Sequence, residues 1–244
     1  MFVIHHPYFL PWSGYFAKLV FADKLVILDD ILFSKRHGLD RSTIVGMNCK
    51  PLYLNIPCGQ NMSLPIKDVL FEDDGHVEKI LKTIEYSYKC SKLFSECWDE
   101  IRRIILLSFK EEKSLSKING CIIKSFCDML DIKVDIYYSS DYNYEFQDAT
   151  DRILFFSKML NSKQLLVGDG KSLEKHNIEI IDNHCIEVYR QNFYSEHPVY
   201  FQCRRQKAEF LKAMSIVDAL LNLGISETKK ILLAVPPEKR RVKK

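Results

Sequence analysis

The sequence predicts an α/β fold: a mostly parallel sheet flanked by helices, with a β-hairpin insertion and a central helical subdomain. Three observations in the 244 residues carry this. Short apolar, β-branched runs alternate with stretches of helical periodicity. The first two runs, Phe2-Val3-Ile4 and Leu25-Val26-Ile27-Leu28, bracket an amphipathic helix, as in a parallel βαβ unit. No internal repeat or long Gly/Ser linker divides the chain. Residues 1–235 therefore read as a single domain, with the helical subdomain at about 75–130, and residues 236–244 as a basic, flexible tail.

The elements follow in order. Phe2-Val3-Ile4 is a buried strand that ends at His5-His6-Pro7. Tyr15, Phe16, Leu19 and Val20 make one apolar stripe, so a helix fits residues 15–21. Leu25 to Leu28 is a strand bounded by Asp29-Asp30. Residues 44–56 read as two strands around a turn containing Asn48 and Pro51, with one wet face. Residues 77–88, 95–109 and 116–130 are helices. Trp98, Ile101 and Ile105 point inward from the second, and Ile122, Ile123 and Phe126 from the third. Residues 134–138 form a strand. Asp148-Ala149-Thr150-Asp151 opens the next helix as an acidic variant of the capping box. Residues 164–167, 178–181 and 186–189 are short strands. Ser215 and Asp218 read as a second capping box, and Gly224 ends that helix in the left-handed conformation.

Composition narrows the class. Hydrophobic residues make up 47% and charged residues 27%, which suits a globular chain and excludes a disordered one. Net charge is +3, but five basic residues after Pro236 face only Glu238, leaving the body at −1. A near-neutral body makes no electrostatic case for a nucleic-acid surface. No run approaches the ~18 apolar residues of a membrane span, and the N-terminus has no signal-peptide pattern. The eight cysteines form no CxxC pair or zinc-knuckle spacing. They read as reduced, mostly buried thiols of a cytoplasmic protein. No metal ligand set and no cofactor are assigned.

Four clusters could carry chemistry. His5, His6, Tyr8 and Trp12 follow the first strand, where ligands of open α/β sheets sit. Histidine there could act as a general base. Adjacent histidines on an extended segment point to opposite sides, so one of the two should face a site. Asp29 and Asp30 end the second strand and could orient a base, hold a metal or accept a proton. Lys35, Arg36 and Arg41 follow and could neutralise phosphate. Gly168 and Gly170 lie beyond the strand at 164–167. They lack phosphate-loop spacing but would let backbone amides approach an anion. His197, held extended by Pro198, is either a second titrating candidate or a turn histidine.

These residues also carry a resemblance. The segment from Ile4 to Lys18, I-H-H-P-Y-F-L-P-W-S-G-Y-F-A-K, resembles the I-H-Q-P-x-Y-L-P-W-x-G-Y-F-x-K opening of the WbqC-like family of bacterial proteins. Asp29-Asp30 and Ser34-Lys35-Arg36 match in order. So do His197-Pro198-Val199-Tyr200-Phe201-Gln202 and the run from Met214 to Gly224. His6 stands where the family usually has Gln, and Asp40 where it has Asn. The resemblance implies a setting in O-antigen, lipopolysaccharide and other surface-polysaccharide biosynthesis.

It implies a transferase that attaches an acyl or aminoacyl group to the amine of a nucleotide-linked amino sugar. His5 or His197 would be the base, with Asp29 or Asp30 orienting it. Arg36, Arg41 and the Gly168–Gly170 turn would meet the diphosphate. The acyl donor stays open, and nucleic acid enters only if that donor is an aminoacyl-tRNA. The alternative is a non-catalytic sugar- or partner-binding protein of the same pathway.

Overall fold

A computed structural model describes residues 1–58, 63–71, 75–168, 176–205 and 208–240. Its centre is a six-stranded sheet of β1 (Phe2–His5), β2 (Lys24–Ile27), β5 (Asp135–Tyr138), β6 (Gln164–Gly168), β7 (Glu187–Gln191) and β8 (Glu238–Lys239). The order across it is β5-β2-β1-β6-β7-β8. All neighbours are parallel except β8, which pairs antiparallel with β7. The hairpin insertion is β3 (Arg41–Val45) with β4 (Pro51–Asn55). Pro51 begins β4 rather than sitting in the turn, a position where its missing N–H costs little.

The sheet's period of two sorts its side chains into two layers. Phe2, Val26, Leu165 and Val188 face a cluster with α5 (Ala149–Met159) and α6 (Ile178–Asn183). Val3, Leu25, Ile27 and Leu166 face the larger core on the other side. That core is supplied by α1 (Ser13–Leu19), α2 (His76–Tyr88), α3 (Phe94–Glu111), α4 (Leu115–Met129) and α7 (Ile216–Leu233). Helices 2 to 4 thus share one core with the sheet. Fully buried side chains such as Phe2, Phe16 and Phe126 each contribute about 1.5–3 kcal/mol of transfer free energy.

Several expectations need correction. Residues 178–181 form a helix, not a strand. Asn177 caps it by accepting from the Ile180 N–H, an end signal that a short apolar run alone does not reveal. The basic stretch after Pro236 is not free throughout. Glu238–Lys239 pair with β7, Lys239 bonds Glu187 at 2.5 Å, and Arg240 pairs with Asp182. Gly224 interrupts α7 at a positive φ as expected, but at φ 75° and ψ 178° it lies in an extended region kept for glycine rather than the left-handed helical one, and a second helical stretch follows it to Leu233.

Asp218 is no cap. Ser215 alone caps α7, accepting from the Val217 N–H. The fully buried Asp218 carboxylate accepts from Tyr88 Oη (2.7 Å), Tyr200 Oη (2.6 Å), Gln202 Nε2 (2.9 Å) and Asn222 Nδ2 (3.2 Å). It ties α2, α7 and the segment from His197 to Gln202 together. Burial raises its pKa, against the pull of these donors.

All eight cysteines are free thiols. Burial pushes Cys58, Cys127 and Cys203 up to about 12, which makes them poor nucleophiles. No helix of the described residues is long and apolar enough to cross a membrane.

Candidate functional site

Counted along the chain, the parallel strands lie in the order 3-2-1-4-5. The connections diverge between β1 and β6, and ligands of such sheets bind beyond the strand ends at that switch. A cleft of about 1130 Å³ opens there. His5 and His6 from the end of β1 and Gly168 from the end of β6 line it. Both histidines face it, against the expectation of one. The strand stops at His5 and the chain turns at once, Tyr8 N–H bonding the His6 carbonyl, so the alternation is lost.

The following segment is pinned from two directions. Ser42 and Ser215 both donate to the Leu10 carbonyl, at 2.6 and 2.9 Å. Ile216 N–H bonds the Pro11 carbonyl. The N-terminal and C-terminal motifs, some 200 residues apart, therefore build one wall. Trp12 lies on that wall and covers Gly14. A Cβ on Gly14 would stand 2.1 Å from the indole. This gives the P-W-x-G spacing a physical reason: only glycine leaves room for the ring. Gly14→Ala should expel the indole at a cost of about 1–3 kcal/mol. The check is Trp emission together with chemical denaturation; unchanged emission and stability would contradict this packing.

His5 sits at the cleft floor, its ring 4.7 Å from Tyr15 and 5.3 Å from Tyr8. Its Nδ1 is buried without a hydrogen-bond partner among the described residues. Burial first, then the charges of Lys18 and His6, hold its pKa well below the ordinary histidine value. The ring is neutral at pH 7, as an acceptor must be. Tyr8, also lining the cleft, has its pKa raised by burial.

Around the floor stand cations. Lys18 from α1 is buried, and its Nζ would lie 3.8 Å from a Cβ on Gly168. Arg41 opens β3 at the rim, donating to the Lys35 carbonyl at 3.0 Å with its guanidinium 6.0 Å from the Tyr53 ring. Arg152 of α5 lines the opposite side. Among the described residues the acidic one in the lining, Asp148, is committed to capping α5 through the Thr150 and Asp151 N–H groups. Among the described residues no cluster of three or more His, Cys, Asp or Glu side chains is arranged to hold a metal.

The other described candidates do not themselves line the cleft. Asp29 is fully buried behind β2 and accepts from Ser116 Oγ, Ser139 Oγ, Ser140 N–H and Ser140 Oγ at 2.9–3.2 Å. Asp30 pairs with Arg152. Both carboxylates are thus engaged by other partners, and neither is bonded to His5 among the described residues. Lys35 and Arg36 lie on an exposed 3-10 turn outside the lining. His197 is packed behind Trp12 among Phe193, Tyr200 and Phe210, its Nδ1 2.9 Å from the Pro198 carbonyl. Burial lowers its pKa as well. Gly170 falls outside the described residues. Sequence reasoning missed Lys18 and Arg152. Lys18 stands within the Y-F-A-K motif, a signal that was in view, whereas Arg152 has none.

The fold and site together define a doubly wound α/β protein with a cationic, aromatic-walled cleft at its strand-order switch. The chain belongs to the WbqC-like protein family, whose model matches residues 6–230. It is similar to the uncharacterized protein Rv1507c of Mycobacterium tuberculosis (strain ATCC 25618 / H37Rv), with 22% identity over 219 residues, 88% of this chain and 90% of that one.

Proposed function

We propose that this protein is a transferase that moves an acyl or aminoacyl group onto the amine of a nucleotide-linked amino sugar, in the cytoplasm, for surface-polysaccharide synthesis. The observation that supports it most is a neutral His5 on the floor of a cation-lined cleft at the topological switch. His5 accepts a proton from the sugar ammonium. The freed amine attacks the acyl carbon, forming the C–N bond, and the bond to the donor's leaving group breaks. The proton on His5 then passes to that leaving group, and the second proton that the nitrogen sheds as the amide forms goes to solvent.

The low basicity of His5 suits the return step. A buried imidazolium beside Lys18 is a strong acid and gives its proton up readily. The field of Lys18 favours the oxyanion of the tetrahedral intermediate. Tyr8 and Trp12 offer ring faces to a sugar, and Arg41 meets the diphosphate at the rim.

Calorimetry with a panel of nucleotide-linked amino sugars tests the binding half. Arg41→Ala should weaken the best ligand by ~1–3 kcal/mol, the worth of a charge-assisted contact. Equal affinity in the folded variant would return Arg41 to the surface. A panel without any ligand would remove the nucleotide-sugar reading.

A further inference from the structure

Arg152 reaches the cleft from α5 under constraint on two sides. Its Nη1 donates to both oxygens of Asp30, at 2.9 and 2.8 Å. Its guanidinium lies 3.8 Å from the centre of the Phe146 ring, and the side chain is only 12% exposed. Asp30 is fixed in turn by Ser139 Oγ at 2.6 Å. One nitrogen of the fork is therefore used, and one face of its plane is covered. The opposite edge, Nε–H with Nη2–H, is the pair of parallel donors that grips two oxygens of one anion. No described residue accepts from that edge.

We infer that Arg152 is an oxyanion-binding residue of the cleft, its Nε/Nη2 edge taking two oxygens of a phosphoryl group, with Asp30 and Phe146 fixing its plane. The inference rests on the proposed nucleotide-sugar site and assigns the diphosphate to the α5 side of it. Lys18 and Arg41 line the same cleft, so Arg152 is one of several cations around it. Asp30 has a task other than catalysis. It holds an arginine flat in a place where a lysine, a point charge on a flexible stem, would not reproduce the two-pronged contact.

The test is calorimetry of the full chain with UDP, inorganic pyrophosphate and glycine as probes. Arg152→Lys keeps a cation beside Asp30 but loses the fork. The double variant Asp30→Asn with Arg152→Gln removes both charges together, so that neither is left buried without its partner. Folding of each is checked by circular dichroism. A tenfold or greater loss of UDP and pyrophosphate affinity in the folded variants is the expected result. Unchanged affinity in either folded variant would overturn the assignment while leaving the nucleotide-sugar reading intact. Pyrophosphate binding that depends on Arg152, in a protein that ignores nucleotide sugars, would do the reverse. Glycine binding lost in Arg152→Lys without any phosphate binding would make the ligand a carboxylate and overturn the phosphoryl assignment.

Discussion

His5→Gln is expected to lower turnover ~10²–10⁴-fold, the usual contribution of a general base. Gln fills similar space and hydrogen-bonds, so the floor of the cleft is kept while the titrating group is lost. His6→Gln, at the next position and also on the cleft, should cost little by comparison. The two variants control each other, because both exchange a cleft imidazole for an amide. Equal, near-native turnover in both would make His5 structural. The pH profile gives a second reading. His5 must be neutral to accept a proton, and burial with Lys18 holds its pKa well below 6.5. Activity should therefore persist as pH falls through the ordinary histidine range, and the acid limb of kcat/KM should lie below it. An acid limb at or above 6.5 would contradict this placement of the base.

Asp218→Ala carries the largest expected effect on stability, a loss of about 3–5 kcal/mol. Four donors converge on this fully buried carboxylate. Each one orphaned by the substitution costs ~1–3 kcal/mol, less what relaxation recovers. Asp148→Ala is the comparison. It removes a solvent-exposed helix cap, worth only ~1 kcal/mol. Urea denaturation should separate the two clearly. A loss at Asp218 no greater than at Asp148 would mean that the Tyr88, Tyr200, Gln202 and Asn222 cluster holds little together.

Much of the fold was legible because its signals are local. Phe2-Val3-Ile4 and Leu25 to Leu28 are too short for helices and too apolar for loops, and the helix between them fixed their parallel pairing. Residues 178–181 were not legible on the same grounds. Four apolar or charged residues suit either element, and the deciding contact is a side-chain cap. The two capping boxes divided for a related reason. Asp148 caps its helix as expected, with Asp151 reaching back to the Gln147 N–H at 3.1 Å. Ser215 and Asp218 have the same spacing, but the acid points into the core toward groups on α2 and the segment before α7. Spacing cannot show which way a side chain turns.

The site divides the same way. His5, His6, Tyr8 and Trp12 were legible because one continuous segment carries them past a strand end. Asp29 and Asp30 stand out in the sequence as strand-end carboxylates, and their engagement is not legible there because their partners are remote: Ser116, Ser139 and Ser140 for one, and Arg152, 122 residues on, for the other. Arg152 itself is one basic residue on an amphipathic helix, and nothing nearby marks it out. His197 looked like a second base because it precedes a proline. Its ring is used as an aromatic wedge behind Trp12.

Mass spectrometry of the products tests the central claim most directly. The purified chain is incubated with nucleotide-linked amino sugars and a panel of donors: acyl-CoA, a carrier-protein thioester, an aminoacyl-tRNA, and amino acid with ATP. The account predicts one new nucleotide-sugar species, heavier by the acyl or aminoacyl group, with the group on the amine and its formation strongly reduced in His5→Gln. Sugars recovered unmodified with every donor, although they bind in the cleft, would contradict catalysis and leave a binding protein in its place.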